Sequence, residues 1–222
     1  MHLINILIKY LIIEVKMIYK TQGYCVKPRS FNDIEKIIMP FRTFINPDNS
    51  DYLPIDYILE DMSGINANYG DRIIRFSIYL RTKSEMPNTY GQTAPCDHNN
   101  VVKIFIREDV YEDACEGNLR ARFTLAHEIG HALLHNNEQM AFNRTESKFP
   151  IYCSSEWQAN TAAGILLIPP DKAKKFRDPI ICSQKCGVSL TATSITMNNY
   201  ISNGYITNND IKGNPIYFPT DY

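Results

Sequence analysis

The sequence predicts an α+β fold in one domain, with a small β-sheet packed on helices. Three observations predict it. Two stretches rich in β-branched and aromatic residues, "RIIRFSIYL" at 72–80 and "VVKIFIRE" at 101–108, read as strands. Further along, apolar residues recur at helical rather than alternating spacing. No internal repeat, low-complexity block or linker divides the 222 residues, enough for one domain with its own core.

The opening "MHLINILIKYLIIEV" is apolar but interrupted by Lys9 and Glu14. It falls short of the roughly 20 residues that span a bilayer and lacks a small-residue cleavage site. Two readings stand: a hydrophobic helix packed on the body, or a leader from an upstream start codon, with Met17 opening a more usual soluble sequence. In "SFNDIEKIIMPFRTFI", Ile34, Ile37, Ile38 and Phe41 lie at helical spacing behind Ser30 or Asn32 as N-cap, and Pro40 is expected to kink or shorten the helix. A short helix is expected near residues 55–61, before turn signals at Gly64 and Gly70.

The two strands are joined by a long polar connection carrying Pro87, Asn88, Gly91 and Pro95. A helical stripe of Leu119, Phe123, Ala126, Ile129, Ala132 and Leu133 then covers 118–135. "EWQANTAAGILLIPP" makes a second apolar helix, stopped by Pro169 and Pro170. Ser189 can cap a last helix, "LTATSITMNNYIS", ending before Gly204, and the polar tail from Asn208 is expected to be loosely ordered.

Charge and cysteine usage narrow the function classes. With 23 basic against 24 acidic residues and a formal charge of −1, the chain has no field to attract a phosphate backbone or an anionic membrane. Neither nucleic acid nor a membrane is expected as a partner. The six cysteines show no disulfide framework and read as reduced thiols in a cytoplasm. "CSQKC" at 182–186 lacks a second pair to complete a zinc site, so it reads as structural. His98, in the polar loop beside Cys96 and Asp97, reads as solvated.

The chemistry concentrates in "FTLAHEIGHALLH", which holds three of the five histidines. Residues four apart share a helix face, so His127 and His131 aim at a common point where one Zn²⁺ can take a nitrogen from each. Glu128 stands beside that point, where a general base takes a proton from a water activated by the metal. A catalytic zinc needs a third protein ligand and an open position. His135 lies about 12 Å along the axis from His127 and cannot share the metal in a straight helix, so it is a surface or supporting residue. The H-E-x-x-H-x-x-G-x-x-H arrangement is excluded, because Leu134 and Asn137 occupy its glycine and third-histidine positions. Glu156, opening the next apolar helix, is the preferred third ligand over Cys153, and Asn160, one turn on, can orient His127 or His131. The strand at 101–106 is either a sheet edge onto which an extended peptide adds or a buried strand with no free edge.

"RFTLAHEIGHALLH" followed by "EWQANTAAGILLIP" resembles the ImmA/IrrE family of zinc metallo-endopeptidases, strongly over 122–169 and more weakly in "GVSLTATSITMNNYISNGYI". The resemblance implies a zincin-like domain of gluzincin-like type over 29–207, preceded by an apolar extension at 1–28 and followed by a tail at 208–222. It implies His127, His131 and Glu156 as zinc ligands and Glu128 as general base. It also implies a protein substrate, a helix-turn-helix repressor of a mobile element, prophage or stress response encoded nearby. The alternative is a non-catalytic zinc-containing protein that sequesters a repressor or toxin partner.

Overall fold

The computed structural model describes residues 23–136 and 149–207; the segment at 1–22 and the tail at 208–222 lie outside the described residues. Helix α1 (Phe31–Ile45) starts at Ser30, whose hydroxyl accepts from the Asp33 N–H while the Asp33 carboxylate accepts from the Ser30 N–H, a capping box that settles the cap in favour of Ser30. The helix runs on through Pro40. Pro40 and Lys36 are both exposed, so the Lys36 carbonyl that loses its helical donor faces water. The opposite face buries Phe31, Ile34 and Ile38.

Helix α2 (Ile55–Asp61) leads into a mixed four-stranded sheet. Its strands are β1 (Asn66–Tyr69), β2 (Arg72–Arg81), β3 (Gly91–Ala94) and β4 (Val101–Arg107), in spatial order β1-β2-β4-β3. β2 and β4 pair in parallel, with Phe76 opposite Val102 and Ile78 opposite Ile104; β1 and β3 flank them antiparallel. One face, including Ile74, Phe76, Val102, Ile104 and Ile106, is buried in the core. The strand at 101–106 is therefore not an edge: β4 is paired on both sides, and its outer neighbour β3 is the terminal strand.

Helix α3 (Glu108–Cys115) follows β4 directly, then α4 (Leu119–Leu134) begins at Asn118, whose side chain accepts from the N–H groups of Arg120 and Ala121. The buried face of α4 is rotated from the expected stripe. Leu119 is exposed, whereas Arg122 is fully buried with Leu125, Ala126 and Ile129. Burial of Leu125 and Ile129 contributes about 1.5–3 kcal/mol each. Arg122 is tolerated there because every branch is satisfied: Nε donates to the Gly187 carbonyl at 3.0 Å, Nη1 to the Tyr52 hydroxyl at 2.6 Å and Nη2 to the Leu53 carbonyl at 2.8 Å, over the Tyr52 ring.

Helix α5 (Ser155–Leu167) is capped by Ser154 and crosses α4 where Gly130 gives it room, since a Cβ at 130 would sit 3.0 Å from both the Ala159 carbonyl and the Ala162 methyl. Helices α6 (Pro170–Phe176), α7 (Pro179–Cys186) and α8 (Leu190–Ser202) complete the core, the last capped by Ser189 as expected. Pro170 and Pro179 each stand in the first turn of a helix, where the missing N–H costs nothing. Residues 24–29 run beside 152–155, joined by the Cys25–Ser154 bridge and the Val26 N–H to Cys153 carbonyl bond at 2.8 Å. All six cysteines are free thiols, with Cys182 and Cys186 buried.

Candidate metal centre

Three side chains from two helices converge. On α4, His127 Nε2 and His131 Nε2 lie 3.0 Å apart; on α5, the Glu156 carboxylate comes within 3.3 Å of the first and 3.4 Å of the second. Among the described residues these three form the group whose ligand atoms all lie within 4.8 Å of one another. Tetrahedral ligation at about 2.0–2.1 Å separates donor atoms by about 3.3 Å, so the spacing fits one such ion. Cys153 is not in the group, while Glu156 is the residue that the helix-start argument chose.

The electrostatics are those of a centre that wants positive charge. Burial alone would lower the His127 imidazole, but the Glu156 hydrogen bond and the charges of Glu128 and Glu156 carry it above the usual histidine range. Burial raises Glu156, yet hydrogen bonds from His127 and His131 outweigh it and hold the carboxyl far below the usual range. A metal cation held there would replace protons in the same role.

The remaining ring nitrogens are also occupied. His127 Nδ1 lies 2.9 Å from Asn160 Oδ1, the expected orienting partner. His131 Nδ1 lies 2.9 Å from His135 Nδ1, and His135 Nε2 lies 3.1 Å from Gln158 Oε1. His135 is therefore a buried supporting residue rather than a surface one. Burial, followed by the charge of His131, pulls its pKa down to about 3, so it is neutral at ordinary pH. His98 is exposed in its loop, as expected.

Glu128 is buried beside this centre and held from the sheet. The Thr93 hydroxyl on β3 lies 2.7 Å from Glu128 Oε2 and 3.1 Å from the Glu128 carbonyl. Gly91, two residues earlier on the strand, leaves the space the carboxylate fills: a Cβ there would stand 2.7 Å from Glu128 Cγ and 2.8 Å from Oε1. Sequence reasoning missed Thr93 and Gln158 and saw Gly91 only as a turn signal. A groove lined by Glu35, Met39, Arg42, Asp171, Lys174 and Tyr205 shares no residue with this cluster.

A buried apolar helix carrying H-E-x-x-H, crossed by a helix that delivers a glutamate, is an arrangement that comparison with known families recognises. The profile of the IrrE N-terminal-like domain, the peptidase M78 family, matches residues 76–194. The chain belongs to this family. The match covers just over half of the sequence, from within β2 to within α8, and so contains β3, both site helices and the site residues Gly91, Thr93, His127, Glu128, His131, His135, Glu156, Gln158 and Asn160. No curated protein matches the chain. The M78 assignment makes it a peptidase with a metal cofactor expected at a His-His-Glu cluster, and the α+β architecture with one small sheet agrees with it. Among the described residues no helix is long and apolar enough to cross a membrane.

Proposed function

We propose that this chain is a zinc-dependent endopeptidase that cuts a protein substrate, a helix-turn-helix repressor encoded beside it, in the cytoplasm. The observation that carries the reading is the convergence of His127 Nε2, His131 Nε2 and the Glu156 carboxylate beside a buried Glu128. His127, His131 and Glu156 hold the ion; Glu128 is the general base. Zinc supplies Lewis acidity, which makes a water nucleophilic near neutral pH and polarises the substrate carbonyl.

Every other step belongs to side chains of the protein. Glu128 takes the proton of the attacking water and hands it to the amine as the peptide bond breaks. The Thr93 hydroxyl keeps that carboxylate turned to its task through the 2.7 Å hydrogen bond. Asn160 keeps the His127 ring from rotating. An extended substrate segment adds along β3, the terminal strand, which runs past Glu128 and has one side unpaired among the described residues. The six free thiols support a reducing compartment.

The experiment is incubation of wild type and Glu128→Gln with the helix-turn-helix protein of the adjacent gene, read by mass spectrometry. The expected result is a discrete cut by wild type, with the variant still folded and still binding zinc but slower by about 10²–10⁴-fold. A repressor bound yet left full length by the zinc-loaded wild type would make this a sequestering protein instead.

A further inference from the structure

The hydrogen bonds behind His131 form a directed chain. Gln158, fully buried on α5, donates through Nε2 to two backbone carbonyls, Lys27 at 2.9 Å and Tyr152 at 2.8 Å. Those two acceptors use both amide hydrogens and exclude the flipped amide, which would set an oxygen against two carbonyl oxygens. Gln158 Oε1 therefore faces Arg29 Nη1 at 3.0 Å, which donates to it, and His135 Nε2 at 3.1 Å. An amide oxygen only accepts, so His135 Nε2 carries the ring proton and His135 Nδ1 is bare. That bare nitrogen lies 2.9 Å from His131 Nδ1, which must then be the donor.

We propose that Gln158 and His135 are positioning residues that fix the His131 tautomer, so that the Nε2 lone pair of His131 points at the metal position. The inference rests on the metal-site reading above. It assigns to α4 a second use of its four-residue spacing: His127, His131 and His135 stand in one ladder, with ring centroids 4.6 and 5.0 Å apart, and only the first two face the ion. The two ligand histidines are set by different devices. His127 is held by one amide, the exposed Asn160, whereas His131 is held by a buried chain that ends on the carbonyls of Lys27 and Tyr152. Residues 27–29 thus govern metal affinity without touching the metal. With the opposite tautomer, His131 would turn an N–H toward the ion and bind it poorly.

The test reads tautomer and affinity separately, neither through peptide cleavage. In ¹⁵N-histidine-labelled, metal-free wild type, long-range ¹⁵N–¹H spectra should show His131 protonated at Nδ1 and His135 at Nε2. His135→Phe, which keeps a buried ring but no acceptor, should mix the His131 tautomers and weaken zinc binding about 10–100-fold in chelator competition. His135→Gln, whose amide oxygen accepts again, should recover most of that loss. If His135→Phe does not fold, Gln158→Met leaves both rings in place and should still scramble both tautomers. His131 Nδ1 without a proton in wild type, or a folded His135→Phe with unchanged zinc affinity, overturns the relay. Wild type that shows the stated tautomers but takes up no zinc upholds the relay and removes the metal reading instead.

Discussion

Gly91→Ala should separate catalysis from folding. Gly91 lacks the positive φ of Gly23 or Gly187, so alanine fits its backbone. Its methyl, however, would stand 2.7 Å from Glu128 Cγ and 3.0 Å from Cδ, where carbon atoms settle at about 3.5–4.0 Å. Something must move by about 1 Å. The strand is held by its pairing with Ile106 and by the Arg107 N–H to Tyr90 carbonyl bond at 3.0 Å. Helix α4 is held where Gly130 presses on Ala159. The carboxylate is what yields, and it leaves its 2.7 Å bond to Thr93. Misplacing a catalytic group by about 1 Å costs about 10²-fold in rate, or about 2.7 kcal/mol of barrier. Stability should barely change, since one lost hydrogen bond, about 1 kcal/mol, is offset by the lower entropy of an unfolded alanine. The assay is kcat/KM on a fluorogenic peptide, with zinc content and urea unfolding measured on the same preparation. Wild-type turnover from Gly91→Ala would refute the placement of Glu128, and loss of zinc or fold would show that Gly91 acts elsewhere.

Arg122→Met should cost about 3 kcal/mol in urea unfolding, because the Gly187 and Leu53 carbonyls each lose a buried donor; a change within 0.5 kcal/mol, on the order of an ordinary surface substitution, contradicts that role. The metal-free protein should weaken in mild acid. Folded His135 sits at about 3 while the unfolded residue titrates at 6.5, so below 6.5 the unfolded chain binds a proton that the folded chain refuses. Stability from this group is whole above pH 6.5 and falls as pH drops toward 3, by up to about 1.4 kcal/mol per unit. Urea midpoints at pH 7 and 5.5 should fall more for metal-free wild type than for His135→Phe, and equal falls would exclude His135 as the cause. Zinc at about 100 times its Kd should stabilise the fold by about 2.7 kcal/mol, visible as a lower thermal midpoint on chelation.

The parts legible in the sequence were those written in local spacing. α1 and α8 announce themselves through a capping serine, α4 and α5 through apolar residues at helical spacing, and the His127, His131 pair follows from the same geometry. Pro40 misled because a helix tolerates proline on a wet face. α6 was hidden because Pro170, read as a stop, is a helix start, and α7, which Pro179 opens in the same way, drew no reading at all. β3 was hidden because Gly-Gln-Thr-Ala has no β-branched run and is a strand only by pairing with β4. The same strand brings Thr93 to Glu128 across 35 positions, and Gln158 reaches Lys27 across 131, distances at which no spacing rule speaks. Arg122 belonged to the motif before its reason was visible; the reason is the pair of backbone carbonyls it satisfies.

The proposed zinc ligands are His127, His131 and Glu156. The decisive measurement is elemental analysis of purified wild type beside Glu156→Ala. The expected result is one zinc per wild-type chain and loss of most of it in the variant. Wild type that neither carries nor takes up zinc, or Glu156→Ala with a full complement, would contradict it.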